Sequence, residues 1–170
     1  MQKNDTIIQF SGLKSGKYTF DFNLDDNFFS SFENDDIEGG DVNFHVGLEK
    51  KERTLCFDFT FNGTIETTCD RCLEKLLVPV EGHQMLCVKL SDSEQSDNED
   101  VLILPENAFK IDLAQWLYEY VVVAMPMQKV HTENECNQEM LQYLEKHDDA
   151  KAESTEDIDP RWEALLKLKK

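Results

Sequence analysis

Thr67-Thr68-Cys69-Asp70-Arg71-Cys72-Leu73 decides how the rest of this chain is read. Its two cysteines stand between a run of strand-type sequence, Thr54 to Thr68, and another, Leu76 to Val80. Thiolates at this spacing on a tight turn can grip one metal ion, each sulfur about 2.3 Å from it. That is half of a tetrahedral site. The other half is expected far along the chain, and the candidates are His131 and Cys136, just after the Pro126 that ends the strongest helix signal. Two other readings stay open: inert thiols on a turn, and a redox C-x-x-C. The redox role calls for the first cysteine at a helix N-terminus, where its pKa falls, and a strand-turn-strand setting speaks against it. His131 can also be read as a surface histidine in a polar turn.

Upstream of the knuckle, Val42, Phe44, Val46 and Leu48 alternate with Asn43, His45 and Gly47; a charged turn, Glu49-Lys50-Lys51-Glu52, follows; then Leu55, Phe57, Phe59 and Phe61 resume the pattern. Period two with one apolar face predicts a hairpin. Asn62-Gly63 predicts a turn or bulge before Ile65 to Thr68. Further upstream, Thr6 to Phe10 and Lys17 to Leu24 read as two strands forming a pair, and the aromatic run Asn27 to Phe32 as a short helix or loop packed on the sheet. Downstream, Leu76 to Val80 and Met85 to Leu90 predict two more strands.

Ser91 to Asp100 is acidic and without an apolar side chain, so it buries nothing to offset the entropy of ordering and is expected to be a mobile loop. Val101 to Leu104 predicts a short strand. Asp112 is placed to cap a helix, with Gln115 in capping-box position, and Leu113, Trp116, Leu117, Tyr120, Val121 and Ala124 recur at helical spacing until Pro126 stops it. A polar helix is expected from Asn137 to about His147, with Met140, Leu141 and Leu144 on one face. Residues 148–158 read as an acidic linker. In the closing segment Asp159 can cap a helix with Pro160 at its first position, where the missing N–H is not needed.

The expected fold is α+β: a curved antiparallel sheet or partial barrel with one packed helix and a C-terminal helical tail. The expected organisation is a single domain over 1–147 with a mobile acidic loop at 91–100, a linker at 148–158, and a helical motif at 159–170.

A 170-residue chain can bury about two thirds of the surface it exposes when unfolded, so it needs no staple. Its 17 Lys+Arg stand against 35 Asp+Glu, a net charge of −18. Such a chain repels a phosphate backbone and favours a basic protein partner. The start has no apolar signal core, and the longest apolar run, Tyr120 to Met125, is far shorter than the roughly 20 residues of a membrane span. The expected location is the cytoplasm, with no membrane contact. Of the five cysteines, Cys56 and Cys87 sit in apolar alternations as if they were small core residues, which fits a reducing compartment rather than a disulfide framework.

No glycine-rich phosphate loop, Gly-x-Ser-x-Gly elbow or His-Glu-x-x-His is present, and the carboxylates lie in solvated runs. No enzymatic activity is expected; the alternative is a thiol-redox or metal-dependent enzyme using Cys69 and Cys72. His45, His83 and His147 lack a ligand-type neighbourhood, and Arg71 is read as balancing the sulfur charge.

Three pieces in this order and separation resemble the YceD family of large ribosomal RNA subunit accumulation proteins. They are Cys69-Asp70-Arg71-Cys72-Leu73 after a strand, Ile111-Asp112-Leu113 opening a helix that ends at Met125-Pro126-Met127, and Asp159-Pro160-Arg161-Trp162 with Leu165 and Leu168. The resemblance implies a small cytoplasmic bacterial factor, also found in chloroplasts, needed for normal levels of large-subunit ribosomal RNA and tied to assembly of that subunit. Many members carry a cysteine where His131 stands and a later cysteine knuckle; here Asn137-Gln138-Glu139-Met140 follows Cys136 instead. Any metal site must therefore come from Cys69, Cys72, Cys136 and His131, and one structural zinc is the expected cofactor, since imidazole can replace thiolate at zinc.

The expected partner is a ribosomal or assembly protein, or a ribonucleoprotein. Asp159, Pro160, Arg161 and Trp162 read as a docking peptide on a tether, an aromatic and a cation suited to a partner groove. Trp162 packing back on its own sheet is the other reading. Lys167, Lys169 and Lys170 are where RNA would be touched directly.

Overall fold

The computed structural model describes residues 6–32, 34, 36–92, 101–132 and 135–143. These fall into two compact units, one of residues 6–68 and 75–129, the other of residues 69–74 and 130–143. The 148–158 linker and 159–170 motif lie outside the described residues, as does the acidic loop beyond Asp92.

The first unit is α+β. In chain order it contains β1 (Ile7–Gln9), β2 (Gly16–Leu24), α1 (Asp26–Phe29), β3 (Gly39–Lys50), β4 (Thr54–Thr68), β5 (Lys75–Leu90), β6 (Val101–Leu104), β7 (Lys110–Asp112) and α2 (Ala114–Ala124). Five strands form one sheet in the order β2-β3-β4-β5-β6, and β1 pairs with β7 in a separate two-stranded ladder. The sheet is open, with β2 and β6 as its edges, so it does not close into a full barrel. Three of its four pairings are antiparallel; β5 and β6 run parallel, Cys87 opposite Val101 through Leu90 opposite Leu104.

Alternation of side chains puts Val42, Phe44, Val46 and Leu48 of β3 and Leu55, Phe57, Phe59 and Phe61 of β4 on one buried face. Phe44 and Phe61 stack across the two strands at 4.6 Å. Buried side chains of this size each stabilise the fold by about 1.5–3 kcal/mol. The face is covered by α1 and α2. Asp25 caps α1 by accepting from the Phe28 backbone N–H at 3.1 Å, which sets Phe28 and Phe29 into the core. On α2, Ala114, Leu117, Tyr118 and Val121 are buried. Tyr118 was not on the expected stripe; its ring stacks on Phe32 at 4.1 Å and its hydroxyl accepts from Asn34 Nδ2. Met125, held extended (ψ 139°) before Pro126, ends the helix.

Several expectations are corrected. β1 pairs with β7 and not with β2, because Ile8 and Ile111 bury together and the Thr6 hydroxyl donates to Asp112 Oδ1 at 2.8 Å. Asn62-Gly63 makes no turn: β4 runs straight through, with Asn62 opposite Asn43 and Gly63 opposite Val42. Gly63 serves close approach, since a Cβ there would lie 2.2 Å from the Asp41 carbonyl oxygen. The two strands expected over Leu76 to Leu90 are one, β5. β6 pairs only with Cys87 to Leu90, so Pro79 lies where that side of β5 has no described strand beside it, a position that tolerates a missing N–H. Gly82 leaves room for Phe61, whose ring would meet a Cβ at 2.6 Å. Asp112 closes β7 and α2 starts at Ala114, yet Asp112 Oδ1 still accepts from the Ala114 N–H at 2.9 Å. Cys56 and Cys87 are not core residues: each sits half-buried between buried neighbours, on the outer face of the sheet.

No helix among the described residues is long and apolar enough to cross a membrane.

Candidate metal centre

β4 and β5 stay in register to their ends, Thr68 opposite Lys75, and the chain between them is the Cys69–Glu74 turn. Two backbone bonds shape the turn: Cys69 N–H to Glu74 O at 2.8 Å and Leu73 N–H to Cys69 O at 2.9 Å. Closing it requires Leu73 at φ 58°, the only positive φ at a non-glycine residue in the described chain. No glycine stands at this position to announce such a turn, and the Leu73 side chain is 67% exposed.

In the same unit, the segment from Val130 brings His131 and Cys136 to the turn. The donor atoms of Cys69, Cys72, His131 and Cys136 all lie within 4.8 Å of one another. The three cysteines are buried and His131 is half-buried. Cys69 Sγ is 4.0 Å from Cys136 Sγ, and His131 Nδ1 is 3.4 Å from Cys72 Sγ and 3.9 Å from Cys136 Sγ. With Zn–S about 2.3 Å and Zn–N about 2.0 Å, a tetrahedral ion needs S···S edges of about 3.8 Å and S···N edges of about 3.5 Å. These three of the six edges come near those values, so the four side chains could hold one ion. Three sulfurs and one nitrogen would make up the four-ligand set of a structural zinc site.

The surroundings favour thiolate at the knuckle. Burial pushes the Cys69 thiol up, but the backbone N–H groups of Cys72, Arg71 and His131 outweigh it and bring the pKa down to about 6. Cys72 is likewise raised by burial but lowered on balance, by the N–H groups of Asn137 and Glu74 and by the His131 ring. Cys136 goes the other way, raised by burial and by the Cys72 and Cys69 sulfurs beside it. Three sulfurs this close cannot all ionise without a cation among them. Arg71 thus contributes through its main chain; its side chain is exposed.

One residue of the site was missed in the sequence. Asn137 Oδ1 accepts from the Glu139 N–H at 2.9 Å, capping helical residues 138–143, while its Nδ2 donates to Glu74 Oε1 at 2.6 Å. It thereby ties the segment carrying His131 and Cys136 to the turn carrying Cys69 and Cys72. An Asn just before a helix is a capping signal, but its second bond depends on a residue 63 positions away. His45 and His83 pair with Asp21 and Asp58 on the exposed face, at 2.7 and 3.0 Å. The expected partner-binding residues Asp159 to Trp162, Lys167, Lys169 and Lys170, with His147, lie outside the described residues.

The family described as large ribosomal RNA subunit accumulation protein YceD matches residues 57–169, two thirds of the chain. The chain belongs to this family. The YceD match begins inside β4 and takes in the whole donor set, β5 to β7 and α2, while β1 to β3 precede it. The YceD family name links the chain to the large ribosomal subunit and its RNA. No curated protein and no solved structure matches the chain.

Proposed function

We propose that this protein is a non-enzymatic cytoplasmic factor that supports accumulation of large-subunit ribosomal RNA and assembly of that subunit through contacts with a protein or ribonucleoprotein. The family match carries the proposal. A net charge of −18 favours a basic partner, a property common to proteins that themselves bind RNA. We propose further that Cys69, Cys72, His131 and Cys136 hold one structural zinc. When bound, zinc supplies a cross-link and no reaction: it fixes the Cys69–Glu74 turn to the chain around His131 and Cys136. In the 159–170 segment, Arg161 and Trp162 are the proposed docking side chains, with Lys167, Lys169 and Lys170 beside them.

The test is the ratio of large- to small-subunit ribosomal RNA in cells that lack the gene, complemented by the full chain or by residues 1–158. The ratio should fall without the gene, recover with the full chain and stay low with the truncated one. An unchanged ratio in the deletion contradicts the assembly role, and full recovery with 1–158 contradicts the docking segment.

A further inference from the structure

The remaining two of the five cysteines, Cys56 and Cys87, lie directly opposite one another on β4 and β5, with their sulfurs 3.2 Å apart. Their backbone geometry suits a covalent bond. The Leu90 N–H donates to the Arg53 carbonyl at 2.9 Å, which makes that row of the antiparallel ladder a hydrogen-bonded one. Such rows alternate, so Cys56 and Cys87, three rows along an uninterrupted register, form a non-hydrogen-bonded pair. Cα atoms in that arrangement are about 4.5 Å apart, inside the range of about 4.4–6.8 Å that a disulfide spans, at its short end.

Access and chemistry agree with the geometry. Both thiols are half-buried on the outer face, and a recess of about 290 Å³ opens beside Cys56, lined in part by Lys17, Gly47, Glu49 and Met85. The three other cysteines gather at the donor set with His131.

We propose that Cys56 and Cys87 are a modification site, forming a reversible cross-strand disulfide with small peroxide oxidants. One thiolate attacks a peroxide oxygen, breaking the O–O bond and leaving a sulfenic acid and water; the second thiol then displaces that hydroxyl, forming the S–S bond and a second water. Two thiols and one hydrogen peroxide thus give one disulfide and two waters. Burial and the hydrogen bond with Cys87 push the Cys56 thiol up to about 11. Because the attacking form is the thiolate, this slows attack by Cys56. A small dithiol restores the pair by thiol–disulfide exchange.

The test treats the purified full chain with hydrogen peroxide, blocks free thiols, and maps tryptic peptides by mass spectrometry. Peptide 54–71, which carries Cys56, should be joined to peptide 76–89, which carries Cys87, with loss of two hydrogens and release by dithiothreitol. Since Cys69 shares the first peptide, Cys56→Ser and Cys87→Ser must each abolish the link. Three results overturn the proposal: both thiols unreacted, oxygen adducts without a link, or a link that survives Cys56→Ser.

Discussion

Cys72 Sγ and His131 Nδ1 meet at 3.4 Å across 59 positions of sequence, joining the turn between two strands to a segment beyond the last helix of the sheet unit. The contact is made through Nδ1, and it completes a set that includes Cys69 and Cys136. Removing one of four donors opens the shell to water. Cys136→Ser should therefore lower zinc affinity by more than the roughly 10–100-fold that losing a mere supporting partner costs. Competition with a chromophoric chelator measures this, and equal affinities would rule Cys136 out.

Metal uptake should depend on pH in a direction fixed by the thiols. With Cys69 at about 6 and Cys136 raised, binding near neutrality displaces at least the Cys136 proton, and below pH 6 it also displaces that of Cys69. Zinc affinity should fall by at least about tenfold per pH unit near pH 7 and more steeply below about 6. In the metal-free protein, the lowered Cys69 pKa contributes stability that is complete above pH 9.0 and lost as pH falls through about 6. Cys136 has the opposite sign: its contribution is present below 9.0 and lost as pH rises through its raised value. Thermal melts of metal-free protein across this range should rise from pH 6 to 9 and flatten or fall beyond.

Leu73 holds a left-handed backbone (φ 58°) with its side chain mostly in solvent. That conformation costs an L-residue about 1–2 kcal/mol, partly offset in glycine by the entropy of its unfolded chain. Leu73→Gly should leave metal binding intact and stabilise the protein by up to about 1 kcal/mol in urea unfolding. Destabilisation would show that the exposed leucine has packing of its own.

Gly63 and Leu117 test the sheet and its covering helix. Gly63→Ala places a methyl group against the Asp41 carbonyl and the Val42 backbone, neither of which yields easily, and overpacking of this kind costs about 1–3 kcal/mol. Leu117→Ala empties a fully buried position on α2 and should cost about 2–5 kcal/mol. Denaturant midpoints measure both; a neutral Gly63→Ala would mean the strands can separate at that row.

What could be read in the sequence was what local pattern records. The alternation of Val42 to Leu48 and of Leu55 to Phe61 specified the β3–β4 pair, because a one-residue slip would turn every one of those side chains to solvent. Asn62-Gly63 and the gap left between Val80 and Met85 misled because turn-type residues also occur where a strand passes close to a neighbour, as the Asp41 carbonyl beside Gly63 and the Phe61 ring beside Gly82 show. The partner of β1 was hidden for a different reason: Ile8 and Ile111 are 103 positions apart in sequence, and no local periodicity records such a pairing. The donor set was legible as residue types at a workable spacing, whereas the Asn137–Glu74 bond and the N–H groups turned on Cys69 depend on the folded backbone.

X-ray absorption at the zinc edge, on protein purified without added metal and checked for metal content, addresses the metal centre most directly. One zinc per chain, with three sulfurs at about 2.3 Å and one nitrogen at about 2.0 Å, is the expected result. Protein that is folded yet free of zinc, or zinc surrounded mainly by oxygen, would contradict it.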